Sequence, residues 1–219
     1  MKKLLIITGV VLALVAVGVT AWRVSGDSVV NRVQSEAIVE VKEFAGDNRH
    51  WESLAVSGMA DEAAQKKINS LLGDFGQPPC GEPPDDNWRY DSKVGYAIVG
   101  DCLSVTRSLT TTSLASSAWP LKEFSAMTLQ LSGGEVYTFP LNAATLRKAL
   151  NEGKFRQVHP EKPVKDGLTQ LADSIKEEFI PPYYLTETGV GLYLNGPDHD
   201  EGEFWLFEAD YADLPPFSR

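Results

Sequence analysis

Leu4 to Trp22 run for 19 positions without a charged side chain, preceded by Lys2 and Lys3 and closed by Arg23. At about 1.5 Å of rise per residue, a helix of that length spans roughly 28 Å, close to the thickness of a hydrocarbon core. An ordinary signal peptide has a shorter apolar stretch, about 7 to 15 residues. The run therefore predicts an uncleaved anchor over residues 1–23, whereas Val19-Thr20-Ala21 supplies the small residues for cleavage after Ala21. Both readings place the lysines in the cytoplasm and export the rest. The expected location is the bacterial cell envelope, either anchored in the inner membrane or released. No cysteine follows the apolar run, so a lipid anchor is not expected.

The chain of 219 residues has a net charge of −10, and setting Lys2 and Lys3 aside leaves −12. An acidic body of this kind argues against nucleic acid, whose phosphates need Lys and Arg to neutralise them. It suits cationic partners instead. Cys80 and Cys102 are the two cysteines. In an exported chain an even pair reads as one disulfide, and closing the intervening 21 residues stabilises by about 3 kcal/mol in the chain-entropy picture.

Residues 24–36 are polar and aperiodic and read as a tether. Ala37–Phe44 and Trp51–Ser57 alternate as strands around Gly46-Asp47-Asn48. Within "MADEAAQKKINSLLGDF", Ala64, Ile68, Leu71, Leu72 and Phe75 recur at helical spacing, with Asp61 or the residue before it as the cap. The breaker cluster "QPPCGEPPDDNW" predicts a surface loop and a sub-boundary within 76–89. Tyr90–Leu109 alternates as strand, "TTTSLASSAWP" reads as a loop, and Phe124–Leu131 and Val136–Phe139 read as a hairpin about Ser132-Gly133-Gly134. Asn142 caps a helix that ends at Gly153, and a second helix is expected over 165–179 with Leu168, Leu171, Ile175 and Phe179 inward. Strands at Val190–Leu194 and Phe204–Ala209 complete the chain. This order is not an alternating βα pattern. It predicts one α+β domain over 37–219, mainly antiparallel sheet with helices packed on one face.

Catalytic motifs are missing. The sequence contains no GxSxG, HExxH, Walker or dinucleotide glycine signature, so no cofactor is expected. His50 and His159 read as solvent-edge residues. Asp85-Asp86 and Glu177-Glu178 are neighbours in sequence only and read as solvated charge.

The densest group of ligating side chains is "GPDHDEGE", residues 196–203, with Asp198, His199, Asp200, Glu201 and Glu203. Asp198-x-Asp200-x-Gly202 has a partial likeness to calcium loops, but the later ligands of that template are absent. Bracketed by two apolar strands, the stretch reads as a solvated hairpin loop and a candidate contact surface for a basic partner, without a metal. The competing reading is a wall hydrolase or esterase, which requires these carboxylates to converge with another across a cleft.

The order of features also resembles a known family. "LSVTRSL", then helices, then "IPPYYLTETGVGLYL" and the closing "ADYADL" resemble the RsiV/PdaC-type extracellular domain family. Tyr183-Tyr184-Leu185-Thr186, Gly189-Val190, Tyr193 and Tyr211-Ala212-Asp213-Leu214 carry the likeness, together with Ile68-Asn69 in the first helix. The resemblance covers about residues 37–214 and implies a non-catalytic binding or sensing domain, with lysozyme or a wall component as the partner, or else a structural accessory of an envelope complex. Two departures matter: only Met1-Lys2-Lys3 would reach the cytoplasm, too little to hold a sigma factor, and there is no room for a deacetylase domain. "ASSAWP" also lacks the Gly-Gly-His of the family's corresponding loop.

Overall fold

A computed structural model of the protein describes residues 37–76, 87–117, 120–138, 141–160, 166–176, 181–195 and 203–214. The expected anchor, the tether, Cys80 with most of the proline loop, and residues 196–202 lie outside them.

Strands β1 (Ile38–Gly46) and β2 (Arg49–Ser57) form a hairpin about Asp47-Asn48, as their alternation predicts. Helix α1 (Glu62–Gly76) starts where Asp61 Oδ1 accepts from the Ala63 and Ala64 amides, at 2.9 and 3.0 Å. That cap satisfies donors that the first helical turn leaves unpaired. Ala64, Ile68, Leu72 and Gly76 recur every four residues and form its buried face. Next come β3 (Trp88–Val99), β4 (Cys102–Ser113), β5 (Leu121–Gln130) and β6 (Glu135–Val136). These strands form a six-stranded sheet in the order β1-β2-β3-β4-β5-β6. Its pairs are antiparallel except β2 with β3, which run parallel for three residues, Arg49–Trp51 against Tyr90–Ser92.

Beyond Trp51 the ladder between β2 and β3 stops, and side chains replace it. Glu52 Oε2 accepts from the Val94 amide at 2.9 Å. The Asn69 amide clamps Val56 from α1, accepting from its N–H at 2.7 Å and donating to its C=O at 2.8 Å. Asn69, half of the Ile68-Asn69 pair, thus closes the exposed side of a strand as another strand would. Leu54, Val56, Ile68, Leu72, Leu103, Val105 and Leu129 fill the core beneath. Asn69→Ala should cost about 2–4 kcal/mol, because it strands two main-chain groups at once. Asn69→Asp keeps the acceptor and should cost roughly half of that. Urea unfolding of both variants checks the ranking.

The second half builds α2 (Ala143–Asn151), β7 (Arg156–His159), α3 (Gly167–Ser174), β8 (Tyr183–Leu185), β9 (Gly189–Asn195) and β10 (Phe204–Asp210). Asn142 Oδ1 caps α2 through the Thr145 amide at 2.8 Å. Gly153, at φ +67°, ends the helix: its N–H donates to the Leu150 carbonyl and that of Lys154 to the Ala149 carbonyl. This reversal needs a left-handed residue, which glycine supplies without strain. The four strands form an antiparallel sheet in the order β7-β10-β9-β8. Leu146, Leu171, Ile175, Leu192, Phe207 and Leu214 pack α2 and α3 onto it. The architecture is α+β and mainly antiparallel as expected, with α1 serving the first sheet and α2 and α3 the second.

Four local expectations are corrected. Thr110–Ser113 continues β4, with Thr110 opposite Lys122 and Thr111 opposite Leu121, so these residues are strand and not loop. Of Val136–Phe139, Val136 is strand, in the two-residue β6, Tyr137 and Thr138 are not, and Phe139 lies outside the described residues. The helix expected over 165–179 is α3, two turns long; Ile175 leaves it with extended backbone, so the seven-residue spacing from Leu168 is not one helical face, and Leu168 is 43% exposed. His159 lies in β7 and not in a polar loop, because its pairing is to β10, a strand 45 or more residues away.

A candidate contact site at the junction of the two sheets

The second sheet joins the first along β5. Residues alternate across β9, so Tyr193 and Asn195, two apart, point to one side. The Asn195 side chain accepts from the Phe124 N–H at 2.8 Å and donates to the Phe124 C=O at 3.0 Å. One turn of the pleat further on, the Ala126 N–H donates to the Tyr193 hydroxyl oxygen at 3.3 Å. The Leu185 N–H donates to Ser104 Oγ at 2.8 Å. Main-chain groups on β5 are thus satisfied by side chains of the second sheet, which removes the hazard of an open strand edge.

Aromatic rings fill the space beside these bonds. Phe124 meets Tyr184, Tyr193 and Phe204 at centroid distances of 5.5, 5.0 and 5.1 Å, all tilted or edge-on. Such geometries suit ring quadrupoles better than face-to-face stacking. The Tyr184 hydroxyl donates to Glu208 Oε1 at 3.0 Å. Burial, reinforced by the Glu208 charge, pushes the Tyr184 phenol well above its ordinary value, so it remains a donor. Burial likewise pushes Tyr211 up to about 12.

Glu203 stands at the rim of this junction. Lys122 Nζ donates to its Oε1 at 2.8 Å, and His159 Nε2 approaches the same oxygen at 3.4 Å. His159 also stacks on Phe204 with centroids 4.6 Å apart. The Lys122 bond holds the Glu203 carboxyl below its usual range, against an opposing push from burial. Glu203 is therefore a carboxylate committed to an ion pair, which suits anchoring and does not suit proton donation. Its lowered value means that the stabilisation is present above the unfolded-state value and is lost as pH falls through the folded one. Glu203→Gln should destabilise by about 1 kcal/mol at pH 7. The difference should fade below about pH 4, where the unfolded carboxyl is protonated. Thermal unfolding across pH measures this.

Of the acidic stretch singled out in the sequence, only Glu203 is described; Asp198, His199, Asp200 and Glu201 lie outside. The two residues bracketing 196–202, Asn195 and Glu203, are both fixed to β5. Sequence reasoning did not find Lys122, His159 or Asn195 as partners, although the Tyr193-x-Asn195 spacing signals two polar side chains on one strand face. His50 is also no plain solvent-edge residue. Its Nε2 lies 2.8 Å from Glu43 Oε1 and its Nδ1 3.2 Å from Asp91 Oδ1, which raise its basicity, the Glu43 bond most. Among the described residues, no group of three His, Cys, Asp or Glu side chains is arranged to hold a metal ion. Cys102 is a half-buried free thiol, held up mainly by burial and then by Asp101; Cys80, its expected partner, is outside the described residues.

No family model matches the sequence, and no curated protein matches it. Four chains of solved structures do match. One is a member of the DUF3298 family from Bacteroides fragilis, with a TM-score of 0.52 and 11% identity over 81% of this chain and 91% of that one. At that identity the likeness is one of fold.

Proposed function

We propose that the chain is an exported, membrane-tethered, non-catalytic domain that binds a cationic protein at the bacterial cell envelope. The observation that carries this reading is the anchoring of both ends of the acidic stretch. Asn195 and Glu203 are each bonded to β5, so the stretch holding Asp198, Asp200 and Glu201 begins and ends at fixed points. Binding residues commonly sit on loops that a fixed scaffold positions. The DUF3298-like fold supports the RsiV/PdaC-type resemblance, because those domains are related to that family. Net charge adds long-range attraction for a basic partner. Lysozyme, small and strongly basic, is the partner of stated chemistry to try first. A disulfide between Cys80 and Cys102, the latter a free thiol in this structure, is part of the same exported reading.

The full chain, solubilised in mild detergent and immobilised, should retain lysozyme at low salt and release most of it at physiological salt, as screening of exposed charges requires. Replacing Asp198 and Asp200 by Asn and Glu201 by Gln should weaken retention about tenfold, three charges removed at a few tenths to one kcal/mol each. Absence of retention at either salt would remove lysozyme as the partner. Retention that ignores the triple substitution would move the contact surface elsewhere.

A further inference from the structure

The first sheet ends on β1, whose outer edge pairs with no other described strand. Its ladder to β2 runs through nine consecutive pairs without a register shift, and it contains no proline. Three of its apolar side chains face water: Ile38, Val41 and Phe44 are 54, 40 and 38% exposed. A long regular edge with apolar side chains is a template for another strand unless something covers it. The far end of the hairpin is ordered, because Phe44 stacks on Trp51 at 5.2 Å and Glu43 is bonded to His50.

We propose that the occupant is a second copy of this chain, with the two β1 strands paired antiparallel about a two-fold axis through Val41. The charge register selects this partner. With Val41 opposite Val41, Glu40 of each copy faces Lys42 of the other, giving two opposite-charge pairs. Ile38 faces Phe44 on the same side of the ribbon, an aliphatic–aromatic pair of the kind that stabilises cross-strand contacts. Moving the axis to Glu40, Lys42 or Glu43 sets that charge against its own copy, which cross-strand pairing disfavours. Glu40 and Lys42 are both exposed, and among the described residues neither takes part in an ion pair within the chain. The two six-stranded sheets would become one continuous sheet, with the junction that carries the acidic stretch at each outer end.

Two differently tagged copies of the full chain, co-expressed and solubilised in a mild non-ionic detergent, test the pairing by the fraction of one tag recovered with the other. Wild-type copies should co-purify. Glu40→Lys paired with itself sets the introduced lysine of each copy against Lys42 of the other. Lys42→Glu paired with itself sets the introduced glutamate of each copy against Glu40 of the other. Each variant should associate with itself about tenfold more weakly than wild type, since two symmetric pairs change from attraction to repulsion. Glu40→Lys mixed with Lys42→Glu sets the two lysines of one copy against the two glutamates of the other, an opposite-charge pair at both places. That mixture should therefore associate at least as well as wild type. The double variant Glu40→Lys/Lys42→Glu, paired with itself, restores an opposite-charge pair at both places and should recover wild-type association. Circular dichroism of all three variants should match wild type, because the substitutions are on an exposed strand. Failure of wild-type copies to co-purify overturns the proposal. So does equal association of the single and double variants, which would assign the contact to another part of the chain.

Discussion

Phe207→Ala should cost about 3–5 kcal/mol, the range expected when a fully buried aromatic ring leaves a cavity that its neighbours cannot fill. Phe207 has no exposed surface, and it lies on an interior strand of the second sheet, between β7 and β9. Its cross-strand partner Leu192 is equally buried, and Leu146, Leu171 and Leu214 complete the same core. These neighbours come from α2, α3, β9 and the segment after β10, so collapse around the cavity would require several elements to move together. A domain of this size has a total stability of about 5–15 kcal/mol, so the loss would take a large part of it. The denaturant midpoint should fall with little change in slope. Val136→Ala, at a position 58% exposed, should shift it by less than about 0.5 kcal/mol. Equal shifts for the two variants would contradict the core assigned to the second sheet.

The parts of this fold that are legible in the sequence are those stabilised by neighbours in sequence. Asp61 and Asn142 cap their helices because the amides they accept from are two or three residues away. The β1–β2 hairpin follows from alternation and the short turn at Asp47-Asn48, and alternation also marks β3 and β4, although their reversal at Gly100-Asp101 shows only in the pairing. By contrast, Arg156–His159 has no alternation long enough to read and is strand only because β10 pairs with it. The same limit applies to the site. Glu203 stands out as a polar residue, but its role comes from Lys122, 81 residues earlier. Asn69 and Asn195 are ordinary polar letters in sequence, and only the fold shows each amide closing the edge of a strand. Part of the resembled motif is explained in the same way: Tyr184 and Tyr193 are joint material, while the acidic stretch beside them carries the charge.

Gly191→Ala should cost more than about 3 kcal/mol, the sum of the two losses that follow and large for the addition of one methyl group. A Cβ at Gly191 would fall inside the Tyr184 ring, which lies directly across the strand pair from it. Tyr184 cannot swing away freely, because it is buried among Phe124, Tyr193 and Phe204 and its hydroxyl is bonded to Glu208. Overpacking of this kind costs about 1–3 kcal/mol by itself. Losing the hydrogen bond to a charged group adds about 1.5–3 kcal/mol. The displaced ring would press on Phe124, the residue whose main chain Asn195 clamps, so the base of the acidic stretch should loosen as well. Lysozyme retention by the variant should then fall at temperatures where the domain is still folded. In a Tyr184→Ala background the ring is absent, and adding Gly191→Ala should cost less than about 1 kcal/mol, since residues in contact are not additive. A double-mutant cycle by urea unfolding measures that coupling. Costs that simply add would show that the Tyr184 ring is not what reserves position 191 for glycine.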